Sequence, residues 1–154
     1  MSPRMIGDLV LHEPPVVGAR ERLGVAIRTL LDSDLPALPV VDGHGRYAGI
    51  FGEREFMSAV FPGYVGQLRG AAFLTHSLDA ALERRDACRD EPVSRHMNTE
   101  HVDVGSDYSD VQVAEVFLHH RVLVIPVVDD RKVAGIITRH EFFRAVAQRF
   151  LDQG

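Results

Sequence analysis

The residues best suited to hold a small anion lie at the start of a helix predicted near the end of the chain. A helix that begins after Thr138 would present free backbone N–H groups beside the Thr138 hydroxyl, and together these form a ready phosphate site. Arg139 could add a charge-assisted contact to the same group. The residue types therefore predict phosphate binding at this helix start.

An earlier segment repeats this helix start with different chemistry. Gly52 takes the place of the threonine and offers no side-chain donor. Glu53 and Glu55 fall in the first turn, where two carboxylates at close range would repel an anion. We therefore expect a phosphate to bind at the later helix start and not at this one.

Helix capping explains the same residues without a ligand. In a capping box, the Thr138 hydroxyl accepts from the N–H three residues on, and Glu141 reaches back to the N-cap N–H. Gly52 with Glu55 fits the same arrangement, because glycine is an acceptable N-cap. Both interpretations stay open, and a Glu141 engaged with backbone would not be free to bind a diol.

The other reactive side chains do not combine into a catalytic or metal site. Only His119 of the adjacent pair His119 and His120 shares a helix face with Glu115, and two ligands do not make a zinc site. Cys88 has no paired histidine motif around it. No Walker loop, dinucleotide fingerprint, nucleophile elbow or zinc-protease helix occurs in the sequence. We expect no enzyme, no metal and no required cofactor.

Composition and charge narrow the class of protein. The 154 residues are 45% hydrophobic and 25% charged, which is close to an average globular domain. The net charge of −5 does not indicate a basic surface that would bind nucleic acid or anionic lipid. One cysteine excludes a disulfide framework, and the longest apolar stretch, residues 122–128, is far below the ~20 residues that span a bilayer. We expect a cytoplasmic protein without a signal peptide.

An internal repeat supplies the elements that position these residues. The sequence Pro-Val-Val-Asp at 39–42 recurs at 126–129, which is 87 positions later. The match continues through Ala-Gly-Ile at 48–50 and 134–136. The chain therefore divides into a first copy, a connection and a second copy: residues 1–60, 61–92 and 93–154.

Apolar spacing predicts the helices. One stripe with helical spacing lies early in the first copy: Leu23, Ala26, Ile27, Leu30 and Leu31. The same spacing recurs at the end of the chain: Phe143, Val146, Ala147, Phe150 and Leu151. The counterpart of the early helix is predicted over about residues 109–120, and the connection contains a predicted helix over about 77–88.

Apolar, β-branched runs predict the strands. Buried strands are expected at 35–41 and 122–128, each followed by a polar turn short enough to close a hairpin. With an extended segment before the first helix, each copy is β-α-β-β-α, and the fold class is mixed α/β (α+β). A 60-residue unit buries only about 60% of its unfolded surface, so the two copies should pack against each other.

Two copies of a Pro-Val-Val-Asp strand, a turn, a strand ending in Ala-Gly-Ile and a short helix resemble tandem cystathionine-β-synthase (CBS) domains, a Bateman module. The resemblance covers nearly all of the chain except residues 61–92. It implies a pseudo-two-fold pair of units with two clefts, which in many members bind adenosine-containing ligands. It also implies a regulatory role and a two-fold homodimer, stacked head-to-head or head-to-tail.

The family's nucleotide signature is a glycine, about two apolar residues, a threonine or serine, two residues, and an aspartate that holds the ribose hydroxyls. The second copy carries it from Gly135 to Glu141, with the hydroxyl present and the aspartate lengthened to glutamate. The resemblance implies that Glu141 holds the ribose, while Thr138 and Arg139 meet the phosphate. It also implies residues that line the base pocket through backbone and apolar contacts: Val102, Val124 and Pro126.

The first copy departs further from the signature, because Gly52 removes the hydroxyl and Glu55 replaces the aspartate. The resemblance therefore implies a weaker cleft here, formed by Ala37, Gly52 and Glu55. We call it the first-copy cleft, and the other the second-copy cleft.

Two functions remain open at this stage. The first is a regulatory or sensor module that binds AMP, ADP, ATP or an S-adenosyl compound, mainly in the second-copy cleft. The alternative is a ligand-free pair that serves as an oligomerisation or partner-docking module, motivated by the departures at Gly52, Glu55 and Glu141. Both accommodate a homodimer and a regulated protein partner.

Overall fold

The computed structural model describes residues 9–61, 78–100 and 102–153. The first copy holds six elements: β1 (Leu11–His12), β2 (Val17–Gly18), α1 (Leu23–Ser33), β3 (Ala37–Val41), β4 (Tyr47–Gly52) and α2 (Glu53–Val60). The connection contributes α3 (Leu78–Arg84) and the 3-10 helix Asp86–Asp90. The second copy holds five more: the 3-10 helix Val93–Arg95, α4 (Asp110–His119), β5 (Val124–Asp129), β6 (Lys132–Thr138) and α5 (Arg139–Asp152).

Each copy builds a small sheet around one hairpin. In the first copy, β2 runs parallel to β3, and β3 pairs antiparallel with β4. In the second copy, β5 pairs antiparallel with β6, and Val104 forms a parallel bridge to Val127 in place of β2. This order confirms the predicted mixed α/β class with two β-α-β-β-α units.

The two copies exchange the segments that complete their sheets. Strand β1 belongs to the first copy but pairs with β6 of the second, where Leu11 lies opposite Ile136. In return, Asn98 of the second copy bridges to Ile50 on β4 of the first. The repeat pattern predicted two units that pack together, but it did not show that each unit borrows an edge from the other.

Two glycines permit this exchange. A Cβ on Gly135 would lie 2.9 Å from the Leu11 carbonyl oxygen, and a Cβ on Gly49 would lie 2.7 Å from the Asn98 carbonyl oxygen. Both distances are too short for a side chain, so the glycine of each Ala-Gly-Ile motif is required where the exchanged backbone crosses the strand.

The first hairpin is closed by the aspartate of the repeated motif. The Asp42 carboxylate accepts hydrogen bonds from the backbone N–H of His44 at 2.8 Å and of Arg46 at 3.0 Å. These bonds hold the pKa of Asp42 below its usual value. Asp42 therefore stabilises the turn as an Asx-turn residue.

Two apolar clusters form the core, one for each sheet. Ala37 and Ile50 come from the first copy but belong to the cluster of the second, so the two cores are joined. Leu31 departs from the predicted stripe and is 62% exposed, whereas Leu23, Ala26 and Leu30 are buried. The inner face of α1 is therefore narrower than the spacing predicted.

The connection differs from the predicted helix over 77–88. Helix α3 ends at Arg84, and Cys88 lies in the following 3-10 helix. The Arg85 N–H is shared between the Ala81 and Leu82 carbonyl oxygens, and this three-centre bond tightens the last turn. The Arg85 side chain also donates to the Ala59 carbonyl oxygen at 2.9 Å, which fastens the connection to α2.

Two further sequence predictions fall partly outside the description. The sequence Phe-Pro-Gly-Tyr at 61–64 predicts a loop at the start of the connection, and residues 62–64 of it lie outside the described residues. Ser77, at the start of the helix predicted over about 77–88, also lies outside them. No helix in the described ranges is long and apolar enough to cross a membrane.

Candidate functional site

The start of α5 carries the residues that the sequence assigned to a phosphate. Thr138 is the N-cap, and its hydroxyl oxygen accepts a hydrogen bond from the Glu141 N–H at 3.2 Å. The Arg139 N–H donates to the Leu123 carbonyl oxygen at 2.9 Å, which fixes the helix start against the end of the sheet. The side chains of Arg139 and Glu141 are exposed.

The two helix starts use opposite halves of a capping box. At α2, the Gly52 N–H donates to the Glu55 carboxylate at 2.9 Å, and Gly52 has no side chain with which to cap. At α5, the Thr138 hydroxyl caps, and the Glu141 carboxylate accepts no hydrogen bond from any residue that the structure describes. The glutamate of the second copy is therefore available to a ligand, and that of the first is engaged.

Burial reinforces the difference between the two glutamates. Glu55 is half-buried, and this burial raises the pKa of its carboxyl group, against the lowering effect of the Gly52 hydrogen bond. A carboxylate that is partly desolvated and already bonded to backbone is a poor acceptor for a sugar diol.

The missing hydroxyl at position 52 has a steric cause. A Cβ on Gly52 would lie 2.5 Å from the Pro36 carbonyl oxygen and 2.6 Å from the Ala37 Cα, and it would also meet the Ala37 Cβ. These are mainly backbone atoms of the neighbouring strand, so they cannot move aside cheaply. The first-copy cleft therefore has no room for a serine or threonine.

The apolar residues assigned to the base pocket lie in the core. Val102, Val124 and Pro126 are buried, and Ala37 of the first-copy cleft is buried too. Val124 lies opposite Thr138 in the hairpin, which places the start of β5 beside the start of α5. The structure thus brings Val124 and Thr138 together, but it leaves little side-chain surface of the three apolar residues open.

A cavity with many charged residues in its lining lies between the two copies. It is a groove of about 700 Å³, bounded by the first two turns of α2, by Asn98 and Glu100, and by the end of α4. We call it the inter-copy groove. Glu55 is the one member of the predicted first-copy cleft that lines it.

Sequence reasoning considered His119 and His120 only as possible metal ligands and did not place them in a groove with Arg121. His119, His120 and Arg121 follow one another at the end of α4, and the fold places them across from α2. A signal was present: at the equivalent positions, 87 residues earlier, the first copy has Asp32, Ser33 and Asp34. The repeat therefore differs in charge at a point where the copies meet.

Two carboxylates of the inter-copy groove already accept or share hydrogen bonds. His120 Nδ1 lies 3.3 Å from a Glu100 carboxylate oxygen, and the Glu55 carboxylate accepts from the Gly52 N–H. Arg54, His119 and Arg121 have no ion pair with any described residue.

Neither the histidines nor Cys88 belongs to a cluster of possible metal ligands among the described residues. The described residues contain no group of three or more His, Cys, Asp or Glu side chains that could hold a metal ion. The Cys88 thiol is free and buried, and burial raises its pKa. A raised pKa keeps the thiol protonated and disfavours nucleophilic chemistry.

Comparison with known families gives a consistent match. The CBS domain family model matches the chain twice, at residues 6–62 and 93–148. No curated protein matches the chain significantly.

Solved structures resemble the chain over nearly its whole length. CBSX2 from Arabidopsis thaliana, a CBS-pair protein, is 20% identical, with a TM-score of 0.73 over 99% of each chain. CBSX2 in complex with AMP is 21% identical, with a TM-score of 0.65 over 93% of this chain and 96% of that one. The CBS-domain protein ATU1752 from Agrobacterium tumefaciens is 25% identical, with a TM-score of 0.66 over 88% and 85%.

Proposed function

The chain belongs to the CBS domain family as two domains in tandem, and we propose that it is a regulatory module that binds an adenosine-containing ligand. The ligand class is AMP, ADP, ATP or an S-adenosyl compound, bound mainly in the second-copy cleft. A protein of the same fold has been solved in complex with AMP, which supports this class. The proposal contains no catalytic step.

The observation that carries the proposal is the contrast between Glu141 and Glu55. A ribose presents two adjacent hydroxyl donors, and an ionised carboxylate with open lone pairs can accept both. Glu141 has this freedom among the described residues, while Glu55 is occupied by the Gly52 N–H. We therefore assign the ribose to Glu141.

Capping by Thr138 is compatible with a phosphate contact. A hydroxyl can accept one hydrogen bond while it donates another, and in the structure the Thr138 oxygen accepts from Glu141 N–H. Its hydrogen is left for a phosphate oxygen at the positive end of the helix, and Arg139 adds a charged donor. The capping and ligand interpretations are therefore not exclusive for Thr138.

The base would lie along the end of the second sheet. Val102, Val124 and Pro126 are buried, so they support this edge and contribute backbone groups more than side-chain surface. Their packing holds the edge in place beside Thr138, which is the preorganisation that a small-ligand site needs.

A second candidate function is supported by helix α5. None of its 14 residues is buried, and four large apolar side chains on it are exposed: Phe143, Val146, Phe150 and Leu151. A contiguous apolar face of this kind is typical of an interaction site. It favours an oligomerisation or partner-docking module, and we propose a homodimer as its simplest form, with a regulated protein as a further partner.

Ligand titration tests the proposed function. AMP, ADP, ATP and S-adenosylmethionine are each titrated in thermal unfolding and equilibrium dialysis, and at least one should raise the melting temperature by mass action. Glu141→Gln should weaken that binding at least about tenfold, while the matched variant Glu55→Gln leaves it unchanged. Thr138→Val should weaken phosphate-bearing ligands more than adenosine.

Two results would overturn the proposal. The first is no thermal shift with any adenosyl ligand at millimolar concentration, which would leave the docking module as the function. The second is equal loss of binding in Glu55→Gln and Glu141→Gln, which would remove the preference for the second copy.

A further inference from the structure

We propose that a pocket between the two hairpins binds a free α-amino acid in its zwitterionic form. The pocket has a volume of about 380 Å³, which suits a small ligand. We call it the hairpin pocket, and its charged and aromatic lining is Asp42, Arg46, Tyr47, Glu100, Asp103 and Arg131. It shares no residue with the first-copy or the second-copy cleft, so the proposal goes beyond the adenosyl ligand.

Both copies build the hairpin pocket. The Tyr47 N–H of the first hairpin donates to the Arg131 carbonyl oxygen of the second hairpin at 2.8 Å. The segment that carries Asp103 is held beside β5 by the parallel bridge between Val104 and Val127. Backbone bonds between and within the copies therefore fix the positions from which the lining side chains extend.

Two opposite charges of the hairpin pocket are left without an ion pair. The Arg46 Nε donates to the Asp42 carboxylate at 3.2 Å, and the Glu100 carboxylate is bonded to a histidine of the second copy. Asp103 and Arg131 have no ion pair with any residue that the structure describes. A ligand that carries one charge of each sign can pair with both, whereas a simple anion or cation leaves one of them unpaired.

The Tyr47 hydroxyl group adds a polar atom that lacks a partner. Its oxygen is buried and has no hydrogen bond with the described residues. Burial raises the pKa of this phenol, and the negative charge of Asp103 raises it further, so the hydroxyl keeps its proton. A protonated phenol can donate to a carboxylate or accept from an ammonium group. A bound amino acid offers both kinds of partner to a group that is costly to leave unpaired.

The rest of the lining favours an amino acid with a small aliphatic side chain. Ala48 and Val128 supply aliphatic surface to the hairpin pocket. Contact with this surface adds a hydrophobic contribution to the binding of an alkyl side chain. We therefore expect L-alanine or L-valine to be a ligand.

These two amino acids are the probes, each titrated into the full chain by calorimetry. Isobutylamine and isovalerate, which are valine without its carboxylate and without its amine, should bind at least about tenfold more weakly than L-valine. Asp103→Asn and Arg131→Gln should each weaken the amino acid at least about fivefold. Asp79→Asn and Arg28→Gln make the same charge changes at exposed positions on α3 and α1, and as controls they should leave binding unaltered.

Tyr47→Phe separates a ligand contact from a structural role. The variant removes a hydroxyl that has no partner, so without ligand it should be at least as stable as wild type in thermal unfolding. Its affinity for the amino acid should fall at least about threefold, because the ligand loses a hydrogen bond.

Four results would overturn the proposal. Neither L-alanine nor L-valine binds at millimolar concentration, or isovalerate or isobutylamine binds as tightly as L-valine. The control variants lose as much affinity as Asp103→Asn and Arg131→Gln, or the ligand-free Tyr47→Phe protein is less stable than wild type. Glu141→Gln should bind the amino acid like wild type, so a failure of the adenosyl proposal and a failure of this one are measured separately.

Discussion

Ile50 and Asn98 exchange two backbone hydrogen bonds although they belong to different copies of the repeat. The Ile50 N–H donates to the Asn98 carbonyl at 2.9 Å, and the Asn98 N–H donates to the Ile50 carbonyl at 2.8 Å. On the other sheet, Leu11 stands opposite Ile136 at the equivalent place. Neither sheet is complete without backbone from the other copy.

The glycines under these crossings should not tolerate a methyl group. We expect Gly49→Ala and Gly135→Ala to lower the free energy of unfolding by roughly 1–3 kcal/mol each, because the added Cβ would press on a carbonyl oxygen of the exchanged segment. Gly43→Ala is the matched control, since nothing lies within 4 Å of its Cβ position. Urea denaturation measures all three, and equal stability of the three variants would show that the crossings are not tight.

Replacing Gly52 by the threonine that the second copy has at this position should destabilise the protein. We expect Gly52→Thr to cost roughly 1–3 kcal/mol of stability, because its Cβ would meet Pro36 and Ala37. The reciprocal Thr138→Gly loses one capping bond and should cost below about 1 kcal/mol. Thermal unfolding of the two variants measures this asymmetry, and a stable Gly52→Thr protein would contradict the steric account.

Glu91 should contribute to stability in a pH-dependent way. Its carboxylate lies 2.8 Å from His96 Nε2 and 3.5 Å from the Arg95 guanidinium, and the hydrogen bond with His96 is the main cause that holds its pKa below the usual 4.5. A pKa depressed by folding gives stability that is present above pH 4.5 and is lost as the pH falls through the folded-state pKa.

Glu91→Gln should therefore flatten the acid limb of the stability curve. Urea midpoints between pH 3 and 7 measure it, with Glu83→Gln on the exposed side of α3 as the control. If the stability of Glu91→Gln depended on acid pH as that of wild type does, the loss of stability at low pH would come from other carboxylates.

The exposed face of α5 should mediate self-association. Phe150 is 76% exposed, so Phe150→Ser removes an interaction surface without opening a cavity in the core. We expect it to shift a dimer toward monomer in sedimentation velocity while the monomer keeps its stability. Leu118→Ser on α4, where the leucine is 80% exposed, is the control and should leave the dimer intact. An unchanged dimer in Phe150→Ser would exclude this face.

Much of the fold could be predicted, because it follows from local patterns. The stripe from Leu23 to Leu30 and the apolar runs around Pro39 and Pro126 have the period of their elements, so helix and strand positions follow from the sequence. The exchange of β1 and Asn98 between the two copies could not be predicted. The pairing partner of a two-residue strand is set by backbone geometry, and no side-chain pattern in the sequence indicates it.

The candidate site also has features that the sequence predicts and features that only the structure shows. Thr138 as an N-cap follows from residue type and position. The different use of Glu55 and Glu141 does not, because both glutamates stand three residues after the N-cap, and only the structure shows which carboxylate bonds back to the N-cap N–H. The facing of Arg54 and Arg121 arises only when two distant copies pack, and no local spacing records it.

The borrowed sheet edges also govern how the chain reaches its native state. Residues 50 and 98 are 48 positions apart, and residues 11 and 136 are 125 apart. Contacts between such distant residues form slowly, because long loops must close before any bond is gained. We therefore expect the first copy to lack part of its sheet until the second copy is present, and the two copies to fold together in one cooperative step.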